Sequence, residues 1–194
     1  GYLGNRVAQD ALIDGLRRLE YRGYDSAGAA FHDGNAFSLA RETGRVENLA
    51  ATLRESNPTS TLGIAHTRWA THGAVTVSNT HPHLSHDGKI ALVHNGVIEN
   101  YGPLKRILEG KGIEFSSETD SEVLSNLIAY HYARLEGEEE QFAQALREAL
   151  SQCRGAYGIA VLCVDEPSFL LGARRGSPLV VGLGDGETFL ASDA

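Results

Sequence analysis

The chain has 194 residues and a formal net charge of −8, from 17 Lys and Arg against 25 Asp and Glu. That length fits one domain with a sizeable core, and the acidic balance, with a pI near 5.4, argues against nucleic acid or an anionic membrane as partner. No apolar run approaches the roughly 20 residues of a membrane span, nothing reads as a signal peptide, and the two cysteines, Cys153 and Cys163, fit reduced thiols in a cytoplasmic protein.

In chain order, residues 7–19 place Val7, Ala8, Ala11, Leu12, Gly15, Leu16 and Leu19 on one stripe, which predicts a helix. Strands are expected at 27–32 and 36–40, joined by the hairpin signal Asp33-Gly34-Asn35. A helix over 46–55 should stop at Asn57-Pro58. Buried strands at 62–66 and 90–94 flank a long irregular stretch, 70–88. A loop of that length is functional or disordered, and the polar and aromatic residues at its start favour function. Helices follow at 101–109, at 120–135 with Asp120 as N-cap, and at 141–152 after the acidic run 136–140. The remainder reads as strands at 157–164, 168–173, 179–181 and 188–191. Asp185-Gly186 is a turn between the last two, so Gly182-Leu-Gly184-Asp-Gly186 is no phosphate loop; it lacks the lysine and the following helix. Strands, then helices, then strands again predict an α+β domain of layered antiparallel sheets.

The most informative segment is Gly63-Ile-Ala-His66-Thr-Arg68-Trp69-Ala-Thr71-His72-Gly73. It sets down a guanidinium, an indole, a hydroxyl and two imidazoles where a core would want apolar groups. Such a set suits gripping a small zwitterion. A buried guanidinium pairs with a carboxylate, and Arg68 has none close in sequence, so an anion from elsewhere in the fold or from a ligand must meet it. Asn95-Gly96, after the strand at 90–94, is by itself a turn signal. His81, His83 and His86, with His66, His72 and His94, invite a metal reading. No helix carries a His-x-x-x-His pair, however, and no metal is expected. Cys163 falls in an apolar strand as an inert thiol; Cys153, beside Arg154, is the more open to chemistry, though nothing supplies it with a base.

His66-Thr-Arg68-Trp69-Ala-Thr71-His72-Gly73 resembles the signature of the glutaminase domains of glucosamine-6-phosphate synthases (glutamine–fructose-6-phosphate amidotransferases). So do Arg17-Arg-Leu-Glu-Tyr-Arg22-Gly-Tyr-Asp-Ser-Ala-Gly28, His94-Asn95-Gly96-Val-Ile-Glu-Asn100, Ser117-Glu-Thr-Asp120-Ser-Glu122, Arg154-Gly-Ala-Tyr-Gly158, Gly176-Ser-Pro-Leu-Val180 and Ala191-Ser-Asp193. The resemblance implies the four-layer αββα sandwich of N-terminal-nucleophile amidohydrolases, spanning residues 1–194 as a single domain. It implies hydrolysis of the glutamine side-chain amide to glutamate and ammonia, without cofactor or metal. Asn95 and Gly96 would form the oxyanion hole, Arg68 would take the glutamine α-carboxylate and Asp120 its α-ammonium. Thr71 and His72 would add hydrogen bonds, Trp69 would shape the pocket, and Arg22 would lie near the nucleophile or pair with Asp25.

One departure stands out. Family members open with Cys-Gly-Ile-Val-Gly, whose cysteine is the nucleophile, and Gly1 matches the end of that segment. The chain is therefore expected to lack the first few residues and the C-terminal part of the domain, and to be inactive as it stands. In the whole protein the resemblance implies sugar-isomerase domains that receive the ammonia, and a homodimer. The alternatives are an inactive glutamine-binding module and the glutaminase domain of another class II amidotransferase.

Overall fold

Two antiparallel sheets lie face to face with helices covering the outside of each; the computed structural model describes residues 1–69 and 74–193. The elements are β1 (Tyr2–Leu3), α1 (Ala8–Leu19), a short 3-10 turn (Glu20–Arg22), β2 (Ser26–His32), β3 (Phe37–Thr43), α2 (Val46–Ser56), β4 (Leu62–Arg68) and β5 (His83–Leu84). They continue with β6 (Ile90–Ile98), α3 (Tyr101–Glu109), α4 (Asp120–Arg134), α5 (Gln141–Gln152), β7 (Gly155–Cys163), β8 (Leu171–Arg175), β9 (Val180–Gly184) and β10 (Glu187–Ala191). The first sheet has the order β3-β2-β4-β1-β10-β9 and the second β5-β6-β7-β8.

Side-chain alternation along the strands builds the layers. On β6, Ile90 and Leu92 pack against the helical layer of α3, α4 and α5, while Ala91 and Val93 face the other sheet. On β7, Ile159 and Val161 point to the helices, and Ala160 and Leu162 point between the sheets. In the first sheet Ala27, Ala29 and Phe31 of β2 meet α1 and α2, whereas Ala30 of β2 and Leu62 and Ile64 of β4 point inward. Both faces of the central strands are covered, which is why they read as unbroken apolar runs. The result is the αββα sandwich.

α4 shows no apolar stripe because it has no solvent face along most of its length. It lies on β6 with α3 and α5 beside it, and Ser121 through Ala129 are all buried. Its N-cap is Thr119, whose side chain accepts from the Glu122 N–H; the expected cap, Asp120, is the first helical residue. Asn95 and Gly96 do not take the turn that the dipeptide alone would signal. They lie within β6, paired with Gly158 and Tyr157 of β7.

The described part of the stretch 70–88 differs from the irregular loop expected there. It contains β5, and Asn79, Thr80, His81, His83 and Ser85 are buried. The segment is stitched to α4 and the turn before it by side chains. Glu118 N–H donates to Asn79 Oδ1 (3.1 Å), His86 N–H donates to Asn126 Oδ1 (2.8 Å), and Ser125 Oγ donates to the Leu84 carbonyl (3.2 Å). The cysteines also differ from expectation: Cys153 is as buried as Cys163, and both are free thiols. Burial pushes the Cys153 thiol up to about 11 and raises that of Cys163, so Cys153 is not the more reactive of the two. Among the described residues no helix is long and apolar enough to cross a membrane.

Candidate active site

Toward one end of the sandwich the space between the sheets changes character. The inward-facing positions run Leu62, Ile64, His66, Arg68 on β4, Ala91, Val93, Asn95 on β6, and Leu162, Ala160, Gly158 on β7. Aliphatic side chains give way to polar ones and to glycine, and the layers no longer fill the gap. A cavity of about 530 Å³ opens there, lined among others by Arg22, Arg68, Trp69, Asn95, Gly96 and Asp120. These six expected residues come from four separate stretches of sequence. Thr71 and His72 lie outside the described residues.

Arg68, the last residue of β4, is buried, and its Nη1 donates to the Ala74 carbonyl at 3.4 Å. Burial pulls its pKa down, while the carboxylates of Asp25 and Asp120 oppose that shift. A guanidinium remains protonated in either case. Asp25, in the turn before β2, and Asp120, at the start of α4, are the acids whose charge bears on Arg68.

Asp120 is held from two sides. Its Oδ2 accepts from the Ile98 N–H at 2.7 Å, and His94 Nδ1 lies 3.9 Å from the same oxygen. Its side chain keeps partial exposure, at 21 %. The carboxylate is thus anchored at the end of β6 and open to the cavity. That fits an ammonium anchor better than a helix cap.

Asn95 Oδ1 is 3.0 Å from His66 Nε2, a bond that crosses between the two sheets. Gly96 has φ of 126°, a conformation that L side chains rarely adopt, and a Cβ there would run into the Ala156 carbonyl oxygen. Only glycine fits that position. Gly28 of β2 serves in another way: a Cβ would strike the His81 carbonyl oxygen, so its absence lets the buried segment lie close against the sheet.

Trp69 follows β4 and is 55 % exposed, its ring edge-on to Tyr24 with centroids 5.3 Å apart. It shapes the rim rather than the floor. Arg22 ends the 3-10 turn, where Nη1 donates to the Ser192 carbonyl (3.3 Å) and pairs with Asp193 at 3.6 Å. The charge of Asp25, the alternative partner considered for it, bears on Arg68.

Several further side chains gather at the site. Ser121 Oγ sits between His81 Nε2 (2.9 Å) and His94 Nδ1 (3.0 Å), and His83 Nε2 meets Thr119 Oγ1 (3.1 Å). The rings of His66 and His81 lie 4.3 Å apart. Burial holds His66 down to about 4, His83 to about 3 and His81 well below the usual imidazole range, so all three are neutral near pH 7. Their hydrogen bonds go to hydroxyls and an amide, and among the described residues no group of His, Cys, Asp and Glu has the arrangement of a metal site. The block Ser117-Glu-Thr-Asp120-Ser-Glu122 flagged this region, but which histidines Ser121 would join was invisible in the sequence.

Comparison with known proteins agrees with this geometry. The glutamine amidotransferase domain family model matches residues 66–194. The chain is 48 % identical over 194 residues to the glutamine–fructose-6-phosphate aminotransferase (isomerizing) of Caldanaerobacter subterraneus subsp. tengcongensis, covering all of this chain and 31 % of that protein. It is 51 % identical over 193 residues to the enzyme of the same name from Thermus thermophilus, again with 31 % of that protein covered. The chain therefore spans about a third of the length of these relatives. Among solved structures, the glutamine phosphoribosylpyrophosphate amidotransferase of B. subtilis, complexed with ADP and GMP, superposes with a TM-score of 0.81 at 25 % identity, over 98 % of this chain and 40 % of that one. The αββα layering is the N-terminal-nucleophile amidohydrolase fold that the motifs implied. By the family match, the sequence similarity along the whole chain and the shared architecture, this chain belongs to the glutamine amidotransferase family.

Proposed function

We propose that this chain is the glutamine-hydrolysing domain of a glucosamine-6-phosphate synthase. It releases ammonia from the glutamine side-chain amide for the amination of fructose 6-phosphate by isomerase domains in a homodimeric, cytoplasmic enzyme. The observation that carries the reading is the convergence of a buried guanidinium (Arg68), a cavity-facing carboxylate (Asp120) and the Asn95-Gly96 pair on one cavity roomy enough for a free amino acid. A zwitterion needs opposite charges held apart, and an amide carbonyl undergoing attack needs donors beside it. Identity near 50 % over the whole chain favours the fructose-6-phosphate enzymes over other class II amidotransferases.

In this reading the nucleophile is the cysteine that opens the family's Cys-Gly-Ile-Val-Gly segment, whose last residue Gly1 matches. Its thiolate attacks the glutamine Cδ, with the chain's α-amine as base. The Asn95 Nδ2–H and Gly96 N–H then hold the oxyanion. The α-amine passes the thiol's proton to the amide nitrogen as collapse breaks the C–N bond and expels ammonia, and water then cleaves the thioester to glutamate and the free thiol.

The test is ammonia release by the full-length protein from glutamine and from an amide of the same length lacking the α-carboxylate. Glutamine alone should be hydrolysed, and Arg68→Ala should raise KM by roughly 10- to 100-fold, the worth of a charge-assisted pair. Comparable rates on the two amides would overturn the assignment.

A further inference from the structure

We propose that His66 is a positioning residue for amide hydrolysis: by donating its Nε2–H to Asn95 Oδ1, it fixes the Asn95 amide with its NH2 end toward the cavity. The inference rests on the reading of Asn95 as an oxyanion donor.

A side-chain amide is nearly symmetric in shape, but its two ends are opposite in polarity. With NH2 toward the cavity, Asn95 donates to a developing oxyanion. Turned over, it presents a carbonyl oxygen that repels one. Packing alone does not choose between the two, because the ends are almost isosteric. A hydrogen-bond partner on the far side does choose. His66 Nε2 lies 3.0 Å from Oδ1, projecting from β4 across the gap between the sheets.

The imidazole must carry its proton on Nε2 for this to work, and its surroundings favour that tautomer. Among the described residues, Nδ1 of His66 is buried with no hydrogen-bond partner. An orphaned buried N–H is among the rarest features of folded proteins, whereas a bare acceptor is tolerated more often. A proton on Nε2 finds Asn95 Oδ1 at 3.0 Å, whereas a proton on Nδ1 makes no hydrogen bond among the described residues; the His94 carbonyl acts on the ring without making one. Burial also disfavours the doubly protonated ring, which would place an N–H on both nitrogens. The ring is kept in place by His81, 4.3 Å away and tilted by 33°, which is tied in turn to Ser121 at the start of α4. The inner face of β4 thus controls a donor on β6.

Four variants of the full-length protein test this by steady-state glutamine hydrolysis: Asn95→Ala, His66→Leu, His66→Gln and the Asn95→Ala/His66→Leu pair. Loss of the donor in Asn95→Ala should lower kcat by roughly 100-fold or more. His66→Leu should lower kcat by about 10-fold or more with KM within about threefold, because Arg68 and Asp120 still hold the substrate. His66→Gln, whose amide N–H reaches the same oxygen, should recover most of the loss. The double variant should match Asn95→Ala alone, since a residue acting through Asn95 has nothing left to position. An unimpaired Asn95→Ala overturns the oxyanion assignment itself. With Asn95→Ala impaired, full activity in His66→Leu, or an additive loss in the double variant, overturns the role of His66 only. Should His66→Leu fail to fold, the 15N spectrum of the His66 ring in the unsubstituted protein decides: an Nε2–H tautomer is expected, and an Nδ1–H tautomer refutes the inference.

Discussion

In the proposed reading the Asp120 side chain has two tasks, ligand binding and stability, and two substitutions separate them. Its carboxylate accepts the Ile98 N–H at 2.7 Å while facing the cavity beside Arg68. Asp120→Ala removes both functions. Loss of a charge-assisted contact to the ligand ammonium costs about 1.5–3 kcal/mol, which weakens glutamate binding roughly 10- to 150-fold. The same change leaves a donor unpaired on Ile98, a residue only 1 % exposed, where water is no substitute. Such an orphaned donor costs about 1–3 kcal/mol of stability. Asp120→Asn behaves differently, because its amide oxygen still accepts from Ile98 while its charge is gone. It should bind glutamate as poorly as the alanine variant yet unfold at nearly the parent urea midpoint. Calorimetric titration with glutamate, paired with urea denaturation, checks both arms. Parent-like glutamate affinity in Asp120→Asn would refute the ammonium anchor. Equal urea midpoints for the alanine variant and the parent would refute the structural role of the hydrogen bond.

Gly96→Ala should lose about 1–3 kcal/mol from backbone strain alone, and more from the Ala156 carbonyl that its methyl meets; a urea midpoint equal to the parent's would show that β6 relaxes around it. Folded-state pKa values of about 4 for His66 and about 3 for His83 lie below the unfolded value near 6.5, so unfolding binds protons between these limits. Their contribution is complete above about pH 6.5 and is lost as pH falls through the folded values, by up to about 1.4 kcal/mol per pH unit for each ring. In NMR titrations of the folded protein the ring signals of both should stay still from pH 7 to 5, and a midpoint near 6.5 for either would contradict their burial. Cys153 and Cys163 should resist a thiol reagent in the native protein and react together on unfolding; rapid native labelling of Cys153 would contradict its burial and raised pKa.

Much of the architecture was legible because it is written in local patterns. The α1 stripe, the Asn57-Pro58 stop and the hairpins at Asp33-Gly34-Asn35 and Asp185-Gly186 depend on neighbours in the chain, and they came out within a few residues of expectation. Helix caps were harder: Thr119 and Asp120 are both good N-cap types. A contact with Ile98, 22 residues away, leaves the cap to Thr119 and turns Asp120 to the cavity. The segment around His81 and His83 read as irregular because its polar groups are satisfied by side chains of α4 and the preceding turn, without a repeating backbone ladder.

The sequence by itself determined the alphabet of the site. Arg68, Asn95-Gly96 and Asp120 stand in motifs specific enough to name the chemistry; the order of strands and helices predicts layered antiparallel sheets, and the family resemblance implies the four-layer sandwich. Only the tertiary structure decided which groups meet. The charges of Asp25 and Asp120 act on Arg68, and His66 reaches Asn95 across the inter-sheet gap. Such pairings join elements far apart in the chain, and neither residue spacing nor propensity encodes which face of one sheet will oppose which face of the other. That opposition is set by packing, and packing places the charges and the amide around one cavity.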